Sequence, residues 1–566
     1  MLSVIIAVTI GKGALDHGDP GAFALLNCDF SGKRGRGMFA EKKFINGRIY
    51  TMKSEGDVCE ALAVSGGKIV AAGTNEEIGK IEAGKTVDLG GHAVYPGFTD
   101  AHMHLYSYAV QLSQVDLRGC RSMEALQEAF RKKAKETPKG TWIIGSGFNQ
   151  EHFQDPEMPT RKELDAVSTE HPILAERCCG HVACVNTLAL EISDAEHKLP
   201  DPSVLDRDEE GRPNGVLRET AISPVTDCVS DPYPSFESKV NALEKAARKV
   251  SASGITSVHT IQVKFGGMFE NLSLYQELEQ QGRLPVRAYV SFDEYPAFGM
   301  RTGFGNDKIK TGFYKIITDG SLGSHNAALR EPYSDDPANS GILYYPQETL
   351  TEMCRKAYEL DIQLGIHAIG DRALENVVTA LETVYTENKK PDPRFRIIHA
   401  TCCSPELIRR MKELPVILDI QPPFITSDLD WAPERLGPER IKNAYLAKTF
   451  LDSGFLLTGS SDSPVDPFDP FYGIWSVVCR RAADGHPAEG WRPEECIGVY
   501  DALCMYTKNA AYASFEESLK GTLEPGKLAD FVVASEDLFR IDPFCIKDVT
   551  ALSTYLGGEE VYRRGE

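Results

Sequence analysis

His102 and His104 form an H-x-H pair in the segment AVYPGFTDAHMH. On an extended chain, residues i and i+2 face the same side, so both imidazoles can reach one ion. His367 closes the apolar run QLGIH, His399 closes RFRIIH, and Asp462 follows FLLTGSS. A lone strand-end histidine is more often simply hydrogen-bonded than a ligand. The joint pattern of imidazole and carboxylate groups at the ends of separate strands is what a Zn²⁺-type site requires. Lys315 stands inside FYKIITDG, which is otherwise apolar. A buried lysine is costly unless it is paired or chemically changed. Two readings follow: its ammonium pairs with nearby Asp319, or it is modified and bridges metal ions.

These residues need a frame to bring them together. ITSVHTI, LPVRAYVSF, FYKIITDG, QLGIHAIG, RFRIIHA, PVILDIQ and FLLTGSSD read as short buried strands. Helical stretches such as LTEMCRKAYEL and LENVVTALETVYTE lie between several of them. Strands alternating with helices imply a parallel sheet. With AVYPGFTDAHMH as the first strand, the set makes an α/β fold with eight βα units. The expectation is a (β/α)8 TIM-type barrel whose site sits at the C-terminal ends of its strands. Both chain ends have a different texture: FINGRIYTM and ALAVSGGKIVAAG at one, GTLEPGKLADFVVAS and VTALSTYLGGEEVYRRG at the other. Chain ends often lie close in space, so they are expected to build one small β-sandwich from residues 38–95 and 515–566. The barrel would take 96–514, with an insertion at about 110–250 that is too long for one βα connection. Residues 1–37 are Gly-rich, carry Lys33-Arg34-Gly35-Arg36, and read as an extension outside the fold.

The chain has 566 residues, more than a single unadorned core usually supports. Asp and Glu total 82 against 61 Lys and Arg, a net charge of −21. An acidic chain without a basic stripe argues against a nucleic-acid partner. No stretch approaches the ~20 apolar residues of a membrane span. MLSVIIAVTI lacks the basic flank and small-residue cleavage site of a secretory signal. The 14 cysteines include no C-x-x-C, which fits a reduced, cytoplasmic protein.

YPGFTDAHMHL, YKIITDGSLGS, IHAIGDRAL, the strand ending in His399, GSSDSPV and GTLEPGKLADFVV together resemble the amidohydrolase superfamily. More narrowly, they look like its YtcJ-like branch, which includes N-substituted formamide deformylase. The resemblance runs from about residue 39 to the end, with the motifs in order. It implies a distorted barrel and a β-sandwich built from both chain ends. It further implies that His102 and His104 bind the more buried metal, and that Lys315 is an N6-carboxylysine bridge. His367 and His399 would bind a second metal, and Asp462 would be both ligand and proton shuttle. This chain departs from the pattern at Ile398 and Thr401 beside His399, where the family usually has Glu and Gln. It departs again at His325, where the family often has Arg.

Weaker substrate-binding candidates are Arg372 in GDRAL, His325 after the fourth barrel strand, and His181 in the insertion. His259 ends the second strand, where a core role is the simpler reading. Phe424 and Trp431 could wall an aromatic pocket, and Gly97 and Gly320 read as backbone necessities at strand ends. Together these point to a metal-dependent amidohydrolase that cleaves a non-peptide carbon–nitrogen bond by metal-activated hydroxide. It would use one or two divalent ions, zinc first, and take a small-molecule substrate, with a homodimer as an option. The alternatives are a Schiff-base barrel lyase using Lys315 and a non-catalytic binding protein on the same fold.

Overall fold

The computed structural model describes residues 39–177, 182–199, 205–218, 221–262, 267–295 and 299–565. The extension at 1–37 and the candidate His181 lie outside these residues. At the centre is an eight-stranded parallel sheet. Its strands are β1 (Phe98–Met103), β2 (Ile255–Ile261), β3 (Arg287–Phe292) and β4 (Ile309–Ile317). They continue with β5 (Leu364–Ala368), β6 (Phe395–His399), β7 (Val416–Ile420) and β8 (Leu456–Gly459). Every expected strand is present and the spatial order follows the chain.

The expected first strand is divided. Ala93–Pro96 pairs antiparallel with Phe531–Ala534 in another sheet, and β1 starts at Phe98. Gly97 makes the break possible, because a Cβ there would lie 2.2 Å from Thr256 Oγ1. β1 and β8 are the outer strands of the sheet, and main-chain bonds just beyond their ends bring them together. Asp462 N donates to His102 O at 2.9 Å, and His104 N donates to Ser463 O at 2.7 Å.

The helices packed on the barrel are amphipathic in the expected way. Asp371–Glu387 buries Ala373, Leu374, Val377, Val378, Leu381 and Val384, the stripe a 3.6-residue period gives. Inside the barrel, Tyr289, Phe313 and Ile398 from three strands pack on one another. Strands do not pack as a period-2 pattern here because both faces of a parallel sheet are covered.

The two chain ends build two outer sheets, and one of them takes strands from both ends. One is four-stranded, Lys68–Gly73, Ala61–Ser65, Phe39–Ile45 and Glu82–Asp88 in spatial order. The other is six-stranded and joins Phe531–Ala534, Ala551–Leu556 and Glu559–Arg563 to Ala93–Pro96, Arg48–Tyr50 and Val58–Cys59. Phe44, Leu62, Val64, Val94, Phe531 and Tyr555 form their common core. Between β1 and β2 the chain builds a five-stranded sheet with its own core on each face. In its strand Ile173–Arg177, Ile173 and Ala175 face one core and Leu174 the other, the alternation of a strand covered on both sides. The described cysteines are all free thiols. Among the described residues, no helix is long and apolar enough to cross a membrane.

Candidate metal centre

The ends of β1 and β8 meet at three donors. One ligand atom from each of His102, His104 and Asp462 lies within 4.8 Å of the others. His104 Nε2 is 3.1 Å and His102 Nε2 3.4 Å from Asp462 Oδ1. Asp462 (φ 57°) and His399 (φ 77°) both take left-handed backbone, which turns the chain sharply at the strand ends. Non-glycine residues adopt this conformation at a cost, and such positions cluster at functional sites. Asp100, buried in β1, braces the junction by accepting from Ser461 Oγ at 2.5 Å and from His102 N at 3.1 Å. Burial raises its carboxyl to about 7.

The protonation states suit a cation. Burial, and then the Lys315 charge, pushes His102 down to about 3, so its imidazole is neutral. His399 is held well below its ordinary value by burial and then by His367. Burial alone would raise the Asp462 carboxyl, but hydrogen bonds from His102 and His104 hold it well below the carboxylate range. The neutral imidazole of His102 and the ionised carboxylate of Asp462 are donors that zinc-type ions take.

His104, His399 and His367 each spend one ring nitrogen on a partner that fixes the tautomer, the usual support of a metal-binding imidazole, while His102 Nδ1 is buried without a hydrogen-bond partner among the described residues. His104 Nδ1 lies 3.0 Å from the Ile261 carbonyl and donates to it, which turns Nε2 toward Asp462 Oδ1. His399 Nδ1 donates to Gln421 Oε1 at 2.6 Å, leaving Nε2. His367 Nε2 points to Asp319 Oδ1 at 3.2 Å, which leaves Nδ1. The His367 and His399 rings are 4.5 Å apart, and His399 is 6.1 Å from His102. The structure therefore brings His102, His104, His367, His399, Lys315 and Asp462 to one mouth of the barrel.

Lys315 faces into that cluster, with Nζ 3.1 Å from His102 Nε2. Its pairing with Asp319 is not what the structure shows. Asp319 is saturated by His367 and by the amides of Ala328, Ile369 and Gly370. Burial lowers the Lys315 ammonium to about 8, within reach of the neutral amine.

Beneath the centre lies a polar pair that sequence reading did not single out. Arg396 and Asp419 are fully buried, with Nε 2.7 Å from Oδ2. Arg396 also donates to the Ala101 carbonyl at 2.6 Å, just ahead of His102, and to His259 Nδ1 at 3.1 Å. His259 is thus a core residue. The signal was present: Arg396 and Asp419 interrupt apolar strands just as Lys315 does.

The weaker candidates have these partners. The Arg372 guanidinium donates to the carbonyls of Ser340 and Gly341 at 3.4 and 3.2 Å, and so holds a loop. His325 Nε2 is 3.1 Å from Asp335 Oδ2, which Arg435 also contacts. Phe424 lies 5.9 Å from the His399 ring and nearly parallel to it. Trp431 Nε1 donates to Ser427 O at 3.1 Å.

Comparison with known proteins agrees with this frame. Residues 85–562 match the amidohydrolase family. A Bacillus subtilis protein that bears an amidohydrolase name, YtcJ, is 33% identical over 92% of this chain and 98% of its own. The N-substituted formamide deformylase of Arthrobacter pascens is 26% identical over 92% of this chain and 98% of its own. A crystal structure of an uncharacterized metal-dependent hydrolase from Pyrococcus horikoshii superposes with a TM-score of 0.74. It is 31% identical and covers 89% of this chain and 99% of its own.

Proposed function

The chain belongs to the amidohydrolase family, and from that premise we propose that it is a metal-dependent hydrolase of a carbon–nitrogen bond in a non-peptide, amide-type small molecule. The observation that carries the proposal is the convergence of His102, His104 and Asp462 at one point. A divalent ion there, zinc by the preference of imidazole and carboxylate donors, supplies Lewis acidity and lowers the pKa of water toward ~7. The chain's own residues do the rest. His102 and His104 present Nε2, oriented by the junction of β1 and β8. Asp462, ionised, accepts the proton released by the attacking water at a carboxylate oxygen and delivers it to the leaving nitrogen.

Lys315 enters as a neutral amine. Its Nζ adds to CO₂, forming an N–C bond and losing a proton, and the carbamate offers two oxygens where an ammonium would repel a cation. With His367 Nδ1 and His399 Nε2 it forms the second half of the ligand set. The relative named as an N-substituted formamide deformylase supports the choice of bond. The Schiff-base and binding-protein readings leave the converged donors without a task. The free cysteines support a cytoplasmic enzyme, which would act as a monomer or homodimer.

The test uses His102→Ala and Asp462→Asn beside the wild type, on formamides, acyl amides, cyclic ureas and aromatic amides. Both variants should fold, lose bound metal and lose turnover. Retention of a tenth of wild-type kcat/KM, a loss of only ~1.4 kcal/mol of transition-state stabilisation, contradicts the assignment.

A further inference from the structure

The loop between β4 and the helix Gln347–Glu359 carries an aromatic side chain with nothing to do in the fold. Its residues alternate: Leu343 and Tyr345 pack on the core, while Ile342 and Tyr344 are 56% and 48% exposed. This outward face is not a loose surface. Tyr344 N donates to Thr318 O at 2.9 Å, one residue beyond β4, the strand that holds Lys315. Ile342 N donates to Asn326 O at 3.2 Å, and Arg372 holds the Gly341 carbonyl.

The Tyr344 hydroxyl comes to rest over Gly320. A Cβ on Gly320 would lie 3.2 Å from that hydroxyl oxygen and 2.5 Å from Asn326 Cβ, so glycine makes the room. The Gly320 carbonyl is in turn 3.4 Å from His367 Nε2. The phenol therefore stands one residue from the metal centre. Burial, then the nearby Asp319 charge, raises it, so it stays protonated and can only donate or accept as a neutral hydroxyl. It makes no hydrogen bond that the structure defines among the described residues. A half-exposed aromatic ring, fixed by its backbone at the rim of a site and with its hydroxyl free, is a group placed for a ligand.

We propose that Tyr344 is a specificity-determining residue that touches the substrate. Its hydroxyl donates a hydrogen bond to an acceptor oxygen of the amide-type group, and its ring lies against the apolar substituent of the same molecule. This rests on the hydrolase reading above. The Phe424 ring, stacked on His399 from the β7 side, supplies a second apolar wall.

The test measures binding of acetohydroxamate and benzohydroxamate by calorimetry to the metal-loaded wild type, Tyr344→Phe and Tyr344→Ala. These probes carry the same oxygens and differ in the ring. Tyr344→Phe should weaken both by about five- to tenfold, the effect of one neutral hydrogen bond. Tyr344→Ala should weaken benzohydroxamate further by about tenfold and acetohydroxamate no further, since only the former loses buried apolar area. Equal affinities in all three metal-loaded proteins overturn the role of Tyr344 and leave the hydrolase reading intact. A wild type that holds no metal overturns both.

Discussion

Gln421 accepts from His399 while its own amide nitrogen donates to Asp419 O and Ser460 Oγ, both at 3.0 Å. It touches no ion, yet it fixes which nitrogen His399 can offer. Gln421→Leu should lower metal affinity by about 10–100-fold in a chelator competition, the usual effect of removing such a partner. Gln421→Glu, which keeps an acceptor, should recover most of it. Unchanged affinity in Gln421→Leu would show that packing against Phe424 alone holds the ring. At this scale the sequence was legible where chemistry is rare: histidines and an aspartate at strand ends, and a lysine inside an apolar strand. Gln421 and Tyr344 were not legible, because each is an ordinary polar or aromatic residue near a loop, and Asp319 was legible only as a partner for Lys315. Only the fold shows that Gln421 faces His399, that Asp319 takes His367 rather than Lys315, and that Tyr344 overlies Gly320.

The barrel's opposite end, near the starts of its strands, is held by charge. Glu516 pairs with Lys310 of β4 at 3.0 Å and with Lys520 at 2.8 Å, and Lys520 reaches Ser257 of β2 at 2.5 Å. Burial alone would raise the Glu516 carboxyl, but Lys520 and Lys310 hold it down to about 2. A carboxyl depressed on folding contributes stability above its unfolded value, and that contribution is lost as pH falls through its folded value. The window therefore runs from about 4.5 down to about 2. A shift of this size is worth about 3 kcal/mol. Glu516→Gln should accordingly be less stable than wild type at pH 7, with the difference shrinking through that window in acid unfolding monitored by circular dichroism. A constant difference across it would contradict the ion-pair account. The elements themselves were legible because buried parallel strands read as short apolar runs between helical periods. The break of the first strand at Gly97 was not, since it depends on how close Thr256 of β2 comes.

Across the whole molecule, the sheet shared by the two chain ends is tied to the barrel by a buried pair. Arg287, the first residue of β3, meets Asp530 with Nε–Oδ2 at 2.6 Å and Nη2–Oδ1 at 2.8 Å. Asp530 also accepts from Gly557 N at 2.7 Å, and its carbonyl accepts from Gly97 N at 2.9 Å. Removing one partner leaves a buried charge without compensation, at a cost of about 3–5 kcal/mol. Asp530→Ala should lower the thermal midpoint by several degrees, and Asp530→Asn by less. An unshifted midpoint in Asp530→Ala would mean that the apolar interface alone holds these parts together. That the two ends share a sheet was visible in their matching texture. The Arg287–Asp530 pair was not, because the residues lie far apart in sequence and nothing in the GTLEPGKLADFVV motif that holds Asp530 names its partner.

The central claim is that an ion held by His102, His104 and Asp462 is required to break an amide-type bond. Its most direct test is to strip the wild-type protein with a chelator, titrate Zn²⁺ back, and follow hydrolysis of the best amide of the panel against bound metal. The account predicts no turnover in the stripped protein and a rate that rises in proportion to bound ion until the site fills. Turnover that is as fast without metal as with it would contradict the account.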